Sequence, residues 1–371
     1  MSFPMHHKQR FRLGMIAMTV LVILFSSACN TESANRTATV AASGTPPTAI
    51  TPAGNILMID GDAVQKVYVP EPRQPPMYAL TEKRLYIWRN RQWEATPTVN
   101  DGRAFLVDHN NPERLFRGNH PPCDQLVEDA EITLEVSEDG GDIWRPLPHG
   151  DNIRPMAIDP VFPEVLYGTD CALTISDSLG DIWRYFQPLF QHEIVDLVVV
   201  GERLLVLGIS DAGKSQIREL RMVSPDQPKI SDIIIQIEGI ACVDADSNRV
   251  VVGGPTGVQI SLDGGQTWAD SRVGLESVTI PPDDNLVAPN NPSSAAEREF
   301  GVLTIAIDPS YSHRIFAGTV RGLYISQDDG GTWDRYDEIA SDTQVKDIQF
   351  AVNGADLYVT TSKGVVTVPN P

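Results

Sequence analysis

One pattern recurs four times in this chain of 371 residues: Ser137-Glu-Asp139-Gly-Gly141-Asp-Ile-Trp144, Ser176-Asp-Ser178-Leu-Gly180-Asp-Ile-Trp183, Ser261-Leu-Asp263-Gly-Gly265-Gln-Thr-Trp268 and Ser326-Gln-Asp328-Asp-Gly330-Gly-Thr-Trp333. Four of the six tryptophans occupy its last place. The second copy carries Ser178 for the aspartate, and the first two carry isoleucine where the last two carry threonine. This is the chemistry of a β-hairpin. The aspartate accepts hydrogen bonds from the N–H groups of the turn, the glycine adopts a backbone angle closed to other residues, and the tryptophan packs at the start of the next strand.

A second pattern precedes the first. Arg154 to Thr169 aligns with Leu303 to Thr319 and with Phe105 to Phe116, each an apolar strand, a turn of Asp, Pro and Asn, and a second apolar strand. With the strand entering the hairpin and the one leaving it, a unit holds four antiparallel strands, which is a propeller blade. The serines of successive hairpins lie 39, 85 and 65 residues apart. The 85 leaves room for a blade without the hairpin motif, built on Ile194–Val200 and Arg203–Gly208. The 65 is one period plus an insertion at Gly274–Phe300, rich in Pro, Asn, Asp and Ser. A degenerate blade precedes the first hairpin at Met77–Trp93. After the last hairpin, Val345–Phe350, Asp356–Thr360 and Gly364–Val368 give three strands, and Asn55–Ile59 supplies the fourth by closing the ring. The expected fold is all-β, a single β-propeller of seven four-stranded antiparallel blades, with six or eight as the alternatives.

The recurring hairpins resemble Asp-boxes, also called BNR repeats, with the consensus Ser-x-Asp-x-Gly-x-Thr-Trp. The resemblance implies a structural role for every residue of the motif and a catalytic role for none.

The N-terminus reads as an address. Lys8, Arg10 and Arg12 precede the apolar run Leu13 to Phe25, which is too short for a span of about 20 residues but fits a secretory signal. Ser26, Ser27 and Ala28 then lead to Cys29, which resembles the lipobox of bacterial lipoproteins, with Ser26 where leucine is usual. Residues 1–28 are thus expected to be a signal peptide, 29–54 a flexible tether of Thr, Ala, Ser and Pro, and 55–371 the propeller. Cys29 is the expected lipidation site, and the body is expected outside the cytoplasm, on the membrane through its lipid only. The formal charge of −20 argues against nucleic acid as a partner, because that needs clustered cations.

In a propeller the turns between strands one and two share a face with the repeated hairpins. The turns between strands two and three, and the connections between blades, lie on the other face. The elaborations Gly118–Glu131 and Gly274–Phe300 fall on this second face, so binding residues are expected there: His120, Asp124, Asp170, Arg298 and Arg321. Cys123 and Cys171 occupy the same kind of turn in consecutive blades, and a disulfide is expected between them. Cys242 reads as a small buried hydrophobe. The scattered histidines offer no metal-ligand spacing, so no metal and no cofactor is expected.

Sialidases resemble this chain in boxes and fold, but their Phe/Tyr-Arg-Ile-Pro motif has no counterpart in the folded body; Phe11-Arg12-Leu13 belongs to the signal. Bacterial propellers similar to photosystem II stability and assembly factors resemble it over most of the body. That resemblance implies a non-catalytic scaffold binding a protein partner. Glycoside hydrolysis and recognition of a cell-surface glycan are the alternatives.

Overall fold

The computed structural model describes residues 56–70, 73–120, 132–186, 193–200, 203–209, 214–239, 242–279, 298–311 and 313–371. Among these residues there is no helix, and they form a ring of seven antiparallel blades at residues 62–99, 104–151, 154–185, 193–238, 242–271, 302–336 and 345–369. Six blades hold four strands of their own. The seventh holds three, Val345–Phe350, Asp356–Thr361 and Gly364–Pro369. Its outer edge is met by Ile56, which bridges antiparallel to Val366, and by the Leu57 N–H, which donates to the Val365 carbonyl at 2.7 Å. The closing strand expected at 55–59 is therefore present, reduced to a short contact. Met58–Ile59 then turns through Asp60 and Gly61, both at positive φ, and pairs with Asp62–Tyr68, the innermost strand of blade 1. The sequence reading had no element at Asp62–Tyr68.

Blade 4 replaces the repeated hairpin with a long one, Lys214–Met222 against Pro228–Glu238. The insertion between blades 5 and 6 contributes a two-stranded ribbon, Val278–Thr279 with Arg298–Glu299. The apolar residues form seven clusters, each shared by two neighbouring blades. One example joins Val251, Ile260 and Leu275 of the blade 5 side to Ile305, Ile315 and Trp333 of blade 6. Another joins Val67 and Met77 of blade 1 to Tyr358 and Val365 of blade 7.

The four hairpins are wired alike. The serine hydroxyl accepts the N–H of the glycine four residues on, at 2.7–2.9 Å. In three of them the aspartate Oδ1 accepts the serine hydroxyl at 2.7 or 2.8 Å and the N–H four residues beyond the aspartate at 2.8 or 2.9 Å. In the second, Ser178 Oγ alone accepts the Ile182 N–H at 2.9 Å. In the third, the Thr267 hydroxyl and N–H, with the Ser261 hydroxyl, pull the exposed Asp263 carboxyl down to about 2.

The tryptophans differ. Trp144 Nε1 donates to Thr98 Oγ1 of blade 1 at 2.7 Å, and that hydroxyl donates to the Gly141 carbonyl at 2.5 Å. Trp333 Nε1 donates to Ser271 Oγ of blade 5 at 2.8 Å, and that hydroxyl donates to the Gly330 carbonyl. In both, one hydroxyl of the preceding blade satisfies an indole and a carbonyl. Where the preceding blade sets Leu147 or Ile234 against the hairpin glycine, Trp183 and Trp268 bond instead to their own Gly180 and Gly265 carbonyls. Ser271→Ala leaves the buried indole N–H and the Gly330 carbonyl without this partner. It is expected to lower stability by roughly 1–3 kcal/mol, measured by denaturant unfolding.

Candidate functional site

Four equivalent bonds establish which turns share a face. Gly140 N–H donates to Glu113 O at 2.8 Å, Leu179 to Glu164 at 2.9 Å, Gly264 to Asn248 at 2.6 Å and Asp329 to His313 at 3.0 Å. Each ties a repeated hairpin to the turn between strands one and two of its own blade. The turns between strands two and three therefore lie at the opposite ends of the strands, on the second face.

The second face gathers the expected residues into two sectors. In blades 2 and 3, His120 Nδ1 lies 3.7 Å from Cys171 Sγ. Cys171 is disulfide-bonded, and its expected partner Cys123 lies outside the described residues, as does Asp124. Cys171 sits at φ +97°, in the left-handed region that favours glycine. Its carbonyl accepts the Ile194 N–H of blade 4 at 2.8 Å. Asp170, next to it, hydrogen-bonds the Tyr185 phenol, which this bond and burial push up to about 12. In blades 5 and 6, Arg321 lies in the turn 320–321 with its N–H on Thr319 Oγ1 at 2.9 Å, and Arg298 belongs to the added ribbon, its backbone paired with Thr279. Phe300 N–H donates to Pro255 O, and Val320 N–H to Gly301 O, so the end of the insertion is stitched between the turns of these two blades.

Between the sectors runs the wall of innermost strands. In five of seven blades its pairing with the second strand slips by one residue, between Val64/Lys66, Pro155/Ala157, Ile194/Asp196, Val302/Thr304 and Val345/Asp347. Such a bulge re-aims the residues around it. The residue after the bulge is Asp196, Thr304 and Asp347 in blades 4, 6 and 7, all buried, each with one side-chain oxygen lacking a hydrogen bond. Asp244 of blade 5 is satisfied, accepting Ala245 N–H at 2.8 Å and Ile307 N–H of blade 6 at 2.6 Å.

Two cations face this belt from other blades. Arg154 of blade 3 attracts Asp196, and Lys66 of blade 1 attracts Asp347. Burial dominates both pairs it touches. The Asp196 and Asp347 carboxyls are held above the ordinary carboxylate range, and the Arg154 guanidinium is drawn below its own. Arg154 is half-buried, at the start of its innermost strand Arg154–Ile158. Such an arrangement can bind polar groups; among the described residues no group of three or more His, Cys, Asp and Glu side chains is placed to hold a metal ion.

Sequence reasoning missed Arg154, Asp196, Asp347 and Tyr185 as members of this region. A charge inside an apolar innermost strand was the available signal for the first three. The first face carries a further feature: Ile143, Val161, Ile182, Val223, Leu262 and Tyr311, all on its turns, are six of the eleven exposed large apolar side chains among the described residues.

No family model matches the chain, and no curated protein matches it. Solved structures match its fold. A structure of YCF48 bound to a D1 peptide is 12% identical with TM-score 0.52, covering 82% of this chain and 92% of that one. U3-55K is 11% identical with TM-score 0.55, covering 85% and 98%. The GH74 enzyme of Niastella koreensis is 14% identical with TM-score 0.44, covering 85% of this chain and 60% of the enzyme. The chain thus spans about three fifths of the length of that enzyme. At these identities the likeness is one of fold alone.

The buried Asp196 fixes a sign. Its folded carboxyl binds a proton more tightly than the unfolded one, so the residue costs stability as pH rises from about 4 through its folded value. Asp196→Asn keeps an acceptor for the Leu197 N–H, 2.9 Å away, and removes a buried charge. It is expected to stabilise the fold at neutral pH by roughly 1–2 kcal/mol, with the gain shrinking as pH falls toward about 4, followed as the thermal midpoint across that range.

Proposed function

We propose that the chain is an exported propeller, held on a membrane by lipid on Cys29, that binds a protein partner at its second face without catalysing a reaction. Cys29 and the segments 1–28 and 29–54 lie outside the described residues, so this part of the reading rests on the signal-like sequence. The four hairpins are read as Asp-boxes, whose serine Oγ and, in three of them, aspartate Oδ1 accept N–H groups of the turn. The observation that carries the reading is the coupling of loops in blades 2 to 4: His120 beside the disulfide-bonded Cys171, Cys171 bonded through its carbonyl to Ile194, and Asp170 bonded to Tyr185. Loops fixed in this way on a rigid ring present a preformed surface, which lowers the entropy lost on binding a segment of another protein. The YCF48 structure holds a peptide on a similar ring, which supports a peptide or protein as the class of partner. The disulfide from Cys171 is assigned to Cys123 in this reading.

The test uses the full-length lipidated protein captured from detergent-solubilised membranes. A membrane protein is expected to co-purify, and to be lost when His120→Ala and Asp170→Asn are combined, while Cys29→Ser releases the protein into the soluble fraction. Retention of the same partner by the double variant would overturn the second-face assignment. Turnover of a glycan that Arg154→Met abolishes would overturn the non-catalytic reading.

A further inference from the structure

Two of the four hairpins depart from the others at a position the turn does not need. In blades 5 and 6 the residue before the tryptophan is threonine, and its hydroxyl reinforces the turn: Thr267 Oγ1 donates to Asp263 at 2.6 Å and Thr332 Oγ1 to Asp328 at 2.9 Å. In blades 2 and 3 the same position is Ile143 and Ile182, which keep only the backbone bond, to Asp139 Oδ1 and Ser178 Oγ, both at 2.9 Å. Their side chains are 74% and 60% exposed, and Ile143 is the most exposed large apolar side chain among the described residues. Val161, 47% exposed, adds a third on the same face. It belongs to the turn of blade 3 that the bond from Leu179 to Glu164 ties to the Ile182 hairpin. Isolated exposed apolar residues need no explanation, but three on the turns of two adjacent blades, two of them in place of a stabilising threonine, do.

The charges beside the two isoleucines are negative. Asp142 precedes Ile143 and Asp181 precedes Ile182, and both are exposed. Three cations beside these turns are already paired: Arg89 with Glu113, Arg114 with Glu138 and Asp108, and Arg184 with Asp177. Arg145, at the foot of the first hairpin, is exposed. An acidic rim around apolar side chains fits a partner that brings positive charge and apolar contact together. Anionic lipid would be repelled by it, and so would a second copy of this face.

We propose that the hairpin face of blades 2 and 3 docks a cationic segment of a partner protein, its Lys or Arg residues against Asp142 and Asp181 and its apolar residues over Ile143, Ile182 and Val161. This surface is opposite to the one of the proposed function, so the ring would hold two partners at once, one on each side.

The experiment compares the full-length chain with the pair Ile143→Thr and Ile182→Thr, which installs the residue of the sister hairpins and is expected to leave the thermal midpoint unchanged or raised. The probes are a short peptide of Lys and Leu and one of Lys and Ser with the same charge. The parent is expected to bind the Lys/Leu peptide, the threonine pair to bind it about tenfold or more weakly, and added salt to weaken both. Asp142→Asn with Asp181→Asn should lessen the salt dependence. Equal binding by parent and threonine pair, or equal binding of the two peptides by the parent, would overturn the proposal. So would sedimentation of the parent as a dimer that the threonine pair dissolves, since the occupant would then be a second copy.

Discussion

Every apolar cluster of this ring belongs to two blades, so the packing that holds a strand in place is supplied from next door. Val251 and Ile260 have their partners in blade 6, and Val67 and Met77 have theirs partly in blade 7. A blade alone would expose both flanks of its sheet. Stability therefore depends on continuity around the circle, and the circle is continuous only because blade 1 meets blade 7 with the same kind of contact as any other pair. The hydroxyls of Thr98 and Ser271 add directional bonds to two of these joints, and Leu147 and Ile234 show that an apolar residue serves at others.

That dependence explains what was legible in the sequence. Runs such as Arg314 to Thr319 and Arg203 to Gly208 lie in the dry layer between blades, so they read as strands from hydrophobicity alone. The hairpins were legible because each is closed by its own residues, from Ser137 to Trp144 and again three times. Asp62–Tyr68 escaped because an innermost strand with a bulge has one side toward the channel: Gln65 and Lys66 break the period of two just where the pairing slips. The attraction between Arg154 and Asp196, and the bond from Trp333 to Ser271, join residues of different blades, and no local pattern announces them.

The two faces are made of different materials. The second face is built by loops of irregular length, several braced by bonds to the next blade. The first face is built by near-identical short turns, and there the variation is in single side chains: threonine or isoleucine before the tryptophan, aspartate or serine within the turn. A repeat whose internal bonds are redundant can lose one of them and remain a hairpin. The position released in this way becomes free to vary with what the surface touches.

The bridge between Ile56 and Val366 has a consequence for how the molecule comes into being. It joins the first described residue to nearly the last, and so brings together parts of the chain that are far apart in sequence. As the chain is made from its N-terminus, blade 1 must wait for all the others before its flank is covered, with the inner strand Asp62–Tyr68 and the apolar side chains of Val67 and Met77 open to unintended pairing. The seam, held by few backbone bonds and one shared apolar cluster, sets the moment at which a row of blades becomes a circle.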